Sequence, residues 1–236
     1  MPVFYASQID NKQAILSEEE SRHIIKVLRM TLGDQLEMVD GRGSYYTGLI
    51  TVPDPKACLV SIKNVTSDYL KRHYYLHIAI APPKSTERFE WFLEKATEIG
   101  VDEISPVICA RSERNRIRHD RSQKILIAAM KQSGRALLPR LNREIPLGDF
   151  LDRSTADNKL IAHCNTTDDQ QIDVKPHKDY SWIIMIGPEG DFATDEIEAA
   201  LQNDYQEINL GEAVYRTETA GILACHTISL LYQNKP

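Results

Sequence analysis

Two glycine-centred turns carry the residues best placed to do chemistry. The first, Gly187-Pro188-Glu189-Gly190-Asp191-Phe192, follows the apolar run Ile183-Ile184-Met185-Ile186. The second, Leu210-Gly211-Glu212-Ala213-Val214-Tyr215-Arg216, leads through Thr217, Glu218, Thr219 and Ala220 into an apolar helix. Glycine lacks a Cβ, so at 187, 190 and 211 the backbone can take a positive φ and another molecule can approach its amides and carbonyls closely. Turns of this kind, each after a short apolar segment and each opening a helix, are what an open α/β sheet uses at the carboxyl ends of its strands to hold a ligand. The chain has no Gly-x-x-x-x-Gly-Lys, which argues against a nucleotide-phosphate enzyme.

A second group of residues points to polyanions. The net charge of −6 argues against a nucleic-acid partner. The distribution reverses that inference: from 111 to 143 stand Arg111, Arg114, Arg116, Arg118, Arg121, Lys124, Lys131, Arg135, Arg140 and Arg143, opposed only by Glu113 and Asp120. The segment that follows is acidic, so the signs separate along the chain. Arg111, Arg114, Arg116 and Arg118 crowd into one loop and suit phosphate contact; Lys124 and Lys131 read as a solvated helix face.

Elements able to hold these groups can be followed along the chain. Its 236 residues, 42% apolar and 26% charged, suffice for one large domain or two modest ones. Cys58, Cys109, Cys164 and Cys225 lie apart, without Cys-x-x-Cys or histidines at metal-binding spacing. They are expected to be buried thiols of a reducing compartment, with no metal, and His226 is expected in the core. No apolar run reaches the roughly 18 residues of a membrane span and no basic-then-apolar leader opens the chain, so no membrane partner and a cytoplasmic location are expected. The first seventy residues read as a small β-barrel or sandwich. Ser17 and Glu20 form a capping box for a helix with Ile24, Val27 and Leu28 on its apolar side and Gly33 at its end. Asp40-Gly41 marks a hairpin between 35–39 and 44–52, and a further strand covers 57–65. Near 69–73 the pattern changes, and the domain boundary is placed there. Strands at 76–80, 106–110, 159–164, 182–186 and 207–210 then alternate with helices at 86–99, 123–133, 194–202 and 219–232. Thr86 is expected to cap the first of these helices and Gly100 to close it, with Phe89, Phe92 and Leu93 in a core stripe. Such alternation predicts an α/β, mainly parallel sheet with helices on both faces. The last helix is apolar almost all round, which predicts burial within the domain or between subunits.

The strings IGPEGDF (186–192) and LGEAVYRTETAG (210–221), with SRHIIKVLR (21–29), ERFEWFLEKATEIGV (87–101), RSER (111–114) and KQSGRALLPRL (131–141), resemble in type and order the bacterial 16S ribosomal RNA uracil-N3 methyltransferases of the SPOUT superfamily. The resemblance covers nearly the whole chain. It implies a trefoil-knotted SPOUT domain over 71–236 and a PUA-like, RNA-binding β-barrel over 1–70. It implies S-adenosylmethionine held by Ala162 and His163, by Ile186, Gly187, Pro188, Glu189 and Gly190, and by Leu210, Gly211 and Tyr215 with Thr219 and Ala220. The implied reaction is methylation of N3 of a uridine in 16S ribosomal RNA. N3 is a poor nucleophile until its proton leaves, so Arg216 is expected to stabilise the anion, with Glu189 and Glu218 as base or as orienters of the arginine. Arg22, Arg29, Arg111, Arg114, Arg116 and Arg135 are the expected RNA contacts, the partner is 16S ribosomal RNA or the small ribosomal subunit, and the implied assembly is a homodimer. Two positions depart from the pattern: Asp191 stands where a second glycine is common, and Tyr215 where an aliphatic residue precedes Arg216. A SPOUT enzyme acting on another RNA or on a ribose hydroxyl, and a non-catalytic RNA-binding or assembly protein, remain alternative readings of the same residues.

Overall fold

The computed structural model describes residues 2–10, 12–164 and 177–233. The chain divides into two compact units, Met1–Lys71 with Ile127–Leu138, and Arg72–Leu126 with Pro139–Pro236.

In the first unit β1 (Val3–Tyr5), β2 (Gln8–Ile9), β3 (Gln13–Ile15), β4 (Gln35–Val39), β5 (Tyr45–Val52) and β6 (Leu59–Thr66) form one sheet in the order β1-β4-β5-β6-β3-β2. Among the described strands of this sheet, β1 and β4 pair in parallel and the other pairs are antiparallel. Phe4, Leu16, Ile24, Leu36, Met38, Ile50 and Val60 fill one core, with alternate residues of β4 supplying Leu36 and Met38 as a period of two requires. The loop between β4 and β5 is pinned by Asp40, whose Oδ1 accepts from the amides of Arg42 and Ser44. The helix α1 (Glu18–Arg22) starts at Ser17, whose hydroxyl accepts from the Glu20 amide. It then widens into a π-turn over His23–Val27, closed by Leu28 N donating to His23 O. The extra residue in the turn rotates the face beyond it. Ile24 is buried, but Val27 is 67% exposed, which corrects the expected apolar side. Val39, Met130 and Ala136 share a second small core, so Ile127–Leu138 belongs with this unit although no linker marks its return.

In the second unit β7 (Tyr74–Ile80), α2 (Thr86–Ile99), β8 (Glu103–Ile108), α3 (His119–Gln132), β9 (Arg140–Leu141), β10 (Ile145–Pro146), α4 (Leu147–Arg153), β11 (Asn158–Ala162), β12 (Tyr180–Ile186), α5 (Thr194–Gln202), β13 (Gln206–Ile208) and α6 (Thr217–Gln233) follow in turn, α3 running on past Leu126. The sheet order is β10-β8-β7-β12-β11-β13, with β9 on β8, and every described pair is parallel. Side chains of β12 alternate between faces. Ile183 and Met185 join Phe150, Leu151, Phe192 and Ala200 under α4 and α5, while α6 packs on β7, β12 and α2. The helix α2 is capped by Ser85, not Thr86: the Ser85 hydroxyl accepts from the Arg88 amide. Gly100 closes it in the left-handed region at φ 114°. Phe89, Phe92 and Leu93 are core, whereas Trp91, two positions off that face, is 44% exposed. In α6 the buried line is Gly221, Ala224, Cys225 and Ile228; His226 is exposed rather than in the core, and Leu230 is also exposed. Cys58, Cys109 and Cys225 are buried thiols, but Cys164 is exposed. Among the described residues no helix is long and apolar enough to cross a membrane.

Candidate active site

The register of the second sheet explains why its loops meet. Ala162 pairs with Ile186 and with Ile208, Ile186 pairs with Ile80, and Ile80 pairs with Pro106. Parallel strands in level register end at one edge, so the segments after β7, β8, β11, β12 and β13 are all delivered to the same rim.

At that rim lies a cavity of about 470 Å³, within the range of small-molecule sites. Three segments line it. From the end of β11 come Ala162, His163 and Cys164; from the end of β12, Ile186, Gly187, Pro188, Glu189 and Asp191; and from the end of β13, the run from Ile208 to Thr217, with Ala220. Gly190 and Thr219, expected here, are not on the lining. Gly190 faces the other way, where a Cβ would meet Arg111 Cβ at 3.4 Å and Cδ at 3.5 Å. The glycines also work differently from expectation. Neither Gly187 nor Gly190 adopts a positive φ; that conformation falls to Asp191 (61°) and Gly211 (143°). Gly187 is needed for space, since a Cβ there would sit 3.0 Å from the Phe192 ring.

The turns are cross-braced by side chains to which sequence alone assigned no such role. Asp191 Oδ2 accepts from the Cys164 amide at 2.9 Å, tying the β12 turn to the end of β11, and its Oδ1 accepts from the Phe192 amide. The Thr217 hydroxyl donates to Gly187 O at 3.0 Å, fixing the start of α6 to the same turn. Asn209 Oδ1 accepts from the Gly211 amide two residues on, an Asx turn for which Asn-Leu-Gly is the recognisable signal. His163 Nε2 lies 2.9 Å from Glu207 Oε1, and partial desolvation of its sulfur together with the nearby Asp191 carboxylate pushes the otherwise exposed Cys164 thiol up.

Among the expected catalytic residues, Arg216 and Glu189 line the cavity. One oxygen of Glu189 accepts from the Lys84 amide at 3.0 Å, a contact to the loop after β7. Glu218 is off the lining. It is buried in the first turn of α6 with Oε1 3.6 Å from Arg88 Nε, and its Oε2 has no hydrogen-bond partner among the described residues.

The expected RNA contacts are dispersed. Arg22 is exposed but ion-paired to Glu18 at 2.8 Å, and Arg29 is exposed at φ 57°. Both belong to the first unit, as does Arg135, which is half-buried. Arg111, Arg114 and Arg116 share the loop after β8. Arg111 Nη1 donates to Gly190 O at 2.9 Å and Phe192 O at 3.2 Å, and Arg114 donates to Lys84 O through Nε and Nη2. Arg116 and Arg118 are exposed.

Comparison with known proteins places this architecture. The chain resembles a "probable rRNA-methyltransferase" from Porphyromonas gingivalis in crystal structure, with 40% identity, 99% of each chain covered and a TM-score of 0.91. A ribosomal RNA small subunit methyltransferase E from Neisseria gonorrhoeae, bound to S-adenosyl methionine, superposes with a TM-score of 0.87 at 27% identity over 98% of each chain. The protein of that name from Buchnera aphidicola is 27% identical over 98% of this chain and 93% of its own. The family model described as an RNA methyltransferase PUA domain matches residues 16–63, and the one described as an RNA methyltransferase domain matches 71–229. With two thirds of its length inside the latter match, the chain belongs to the RNA methyltransferase domain family.

Proposed function

We propose that this protein transfers a methyl group from S-adenosylmethionine to N3 of a uridine in small-subunit ribosomal RNA, as a cytoplasmic homodimer. The observation that carries this reading is the cavity at the level ends of β11, β12 and β13, built by two glycine turns with Arg216 on its wall. Its lining suits the donor. Ile186, Pro188, Ile208, Leu210 and Val214 offer apolar surface for a purine, the Gly187 and Gly211 turns offer backbone groups, and Glu189, Asp191 and Glu212 offer carboxylates to a cationic, hydroxyl-bearing molecule. The matches to small subunit methyltransferases support the acceptor. The exposed Leu230 and half-buried Ile222 and Leu223 on α6 support the pairing of two copies.

Bound S-adenosylmethionine supplies an electrophilic methyl group on a sulfonium. The protein's own share is orientation and charge. Uracil N3 becomes nucleophilic only as its proton leaves, and the guanidinium of Arg216 stabilises the negative charge then shared with the flanking carbonyls. Glu189, on the same wall, is placed to take the proton while the Lys84 amide fixes its carboxylate. Glu218, held off the wall beside Arg88, sets the first turn of α6 immediately after Arg216. N3 lies on the pairing edge, so the target uridine has to be unpaired or turned out of its stack. Transfer of a labelled methyl to small ribosomal subunits, followed by nucleoside analysis, tests the proposal: 3-methyluridine is the expected product. Label on a ribose or another base would overturn the assignment.

A further inference from the structure

The loop after β8 was expected to meet RNA as a whole; its geometry instead splits its arginines between two tasks. Arg111 is exposed, yet its guanidinium is already committed, with Nη1 donating to both Gly190 O and Phe192 O, and its Cβ and Cδ lie against the bare Cα of Gly190. Arg114 grips Lys84 O, and Lys84 in turn donates its amide to Glu189 and pairs its ammonium with Glu113 at 2.7 Å. The loop is anchored at its root, where the Ala110 amide donates to Glu196 Oε1 at 2.7 Å and the Cys109 amide to Ser112 Oγ at 3.0 Å. Glu196 Oε2 accepts from the Ala193 amide at the head of α5. One arm of the loop therefore closes directly on the turn at Gly190 and Phe192, and the other reaches it through Lys84, whose amide bonds Glu189.

That turn has reason to need holding. Asp191 sits at φ 61°, in the left-handed region that costs a non-glycine residue of order one kcal/mol or more, and it borders the cavity together with Glu189. Carbonyls of 190 and 192 flank that residue. A guanidinium nitrogen bonded to both fixes the peptide that leads into Asp191 and the one that leaves Phe192, so a single side chain clamps the turn across Asp191. We propose that Arg111, with Arg114 as the second arm, is a positioning residue for the donor-binding turn, and that RNA phosphates are met in this loop by Arg116 and Arg118, which extend beyond the braced segment. The inference rests on the donor-site reading above and deepens it.

The test uses Arg111→Ala, Arg111→Lys and Arg116→Ala in the full chain, with three readouts. Hydrogen exchange needs no donor: the Asp191 and Phe192 amides, bonded to Pro188 O and Asp191 Oδ1, are expected to exchange faster in Arg111→Ala and to keep their rate in Arg116→Ala. The KM for S-adenosylmethionine is expected to rise about tenfold in Arg111→Ala, the scale of a lost hydrogen bond to a charged group, with kcat little changed and with partial rescue by lysine, whose ammonium keeps the charge and donors on a shorter, unbranched arm. RNA affinity and its salt slope should stay put in Arg111→Ala and fall in Arg116→Ala. Unchanged exchange at 191 and 192, or a fallen salt slope with an unchanged donor KM in Arg111→Ala, would overturn the inference. Failure of the wild type to bind S-adenosylmethionine would instead strike the functional reading, while the exchange result would still decide whether Arg111 braces the turn.

Discussion

Gly211→Ala is the substitution whose effect can be worked most directly from the geometry. At φ 143° this residue occupies backbone territory that side-chain-bearing residues rarely enter, and an added Cβ would lie 2.6 Å from the Tyr215 hydroxyl. The two costs differ in kind. Tyr215 is more than a third exposed, so the tip of its ring can swing aside cheaply. The backbone strain has no such outlet, and amounts to about 1–3 kcal/mol for a residue forced into a sparsely populated region. The segment from Gly211 to Arg216 is exposed throughout, so the strain is relieved by re-forming the loop and not by unfolding the domain. Because those residues line the cavity, the cost should be recovered in donor affinity: a rise in Kd for S-adenosylmethionine of roughly 5- to 150-fold, with the thermal midpoint essentially unchanged. Calorimetric titration alongside thermal unfolding checks both halves. Gly33→Ala is the control, since Gly33 has φ 89° in the first unit with open space around it; it should lower the midpoint and spare donor affinity. A Gly211→Ala protein that binds the donor as tightly as wild type would refute the claim that this backbone conformation shapes the site.

Arg216→Ala should retain donor binding by calorimetry yet lose roughly 10²–10³-fold in single-turnover methyl transfer, the usual cost of removing a group that stabilises a developing anion. Replacing Arg116 and Arg118 together by alanine should weaken RNA binding and reduce the slope of log K against log salt by about one for each phosphate no longer neutralised, read from filter binding at several ionic strengths. In the core, Gly221→Ala would put a methyl 2.7 Å from Phe92 Cε2, and overpacking of about 1–3 kcal/mol outweighs the roughly 1 kcal/mol gained in helix propensity, so the urea midpoint should fall. His77 is buried beside Phe150 with Nε2 2.8 Å from Ser105 Oγ, and burial lowers its pKa to about 4 from 6.5. The unfolded chain therefore binds more protons between those values, stability falls as pH drops through that window, and about 2 kcal/mol should be lost between pH 7.5 and 5; His77→Asn should flatten that slope in urea titrations.

What the sequence revealed and what it hid follow from how far each interaction reaches. The two turns could be read because glycine, proline and an abrupt end to an apolar run are local signals, and the level strand ends then bring Ala162, Ile186 and Leu210 together without further instruction. The true partners of Arg111 could not be read. They are backbone carbonyls 79 and 81 residues away, and a carbonyl leaves no mark on the residue type that carries it. For the same reason a crowded run of arginines looked like a single phosphate-binding loop. Val27 and Leu28 were misassigned because helical spacing assumes 3.6 residues per turn, which a π-turn violates, and nothing in His-Ile-Ile-Lys-Val announces one. That Ile127–Leu138 packs with the first unit could not be read either, because its link to Val39 runs through two buried apolar side chains, which any core would accept.

Asp191 shows how these levels combine. A residue in the left-handed region is most cheaply a glycine, yet an aspartate there gains two backbone amides, Cys164 and Phe192, that a glycine could not bind. Charge-assisted bonds of this kind are worth about 1.5–3 kcal/mol each when well made, enough to offset the conformational strain. The aspartate therefore trades backbone ease for a cross-brace between the ends of β11 and β12, the second of which Arg111 and Thr217 also secure, from outside and from α6. Restoring glycine at 191 should then relax the backbone and loosen the site together. Faster exchange at the Cys164 amide without loss of global stability is the expected signature, and a slower rate there would show that strain, and not bracing, dominates at this position.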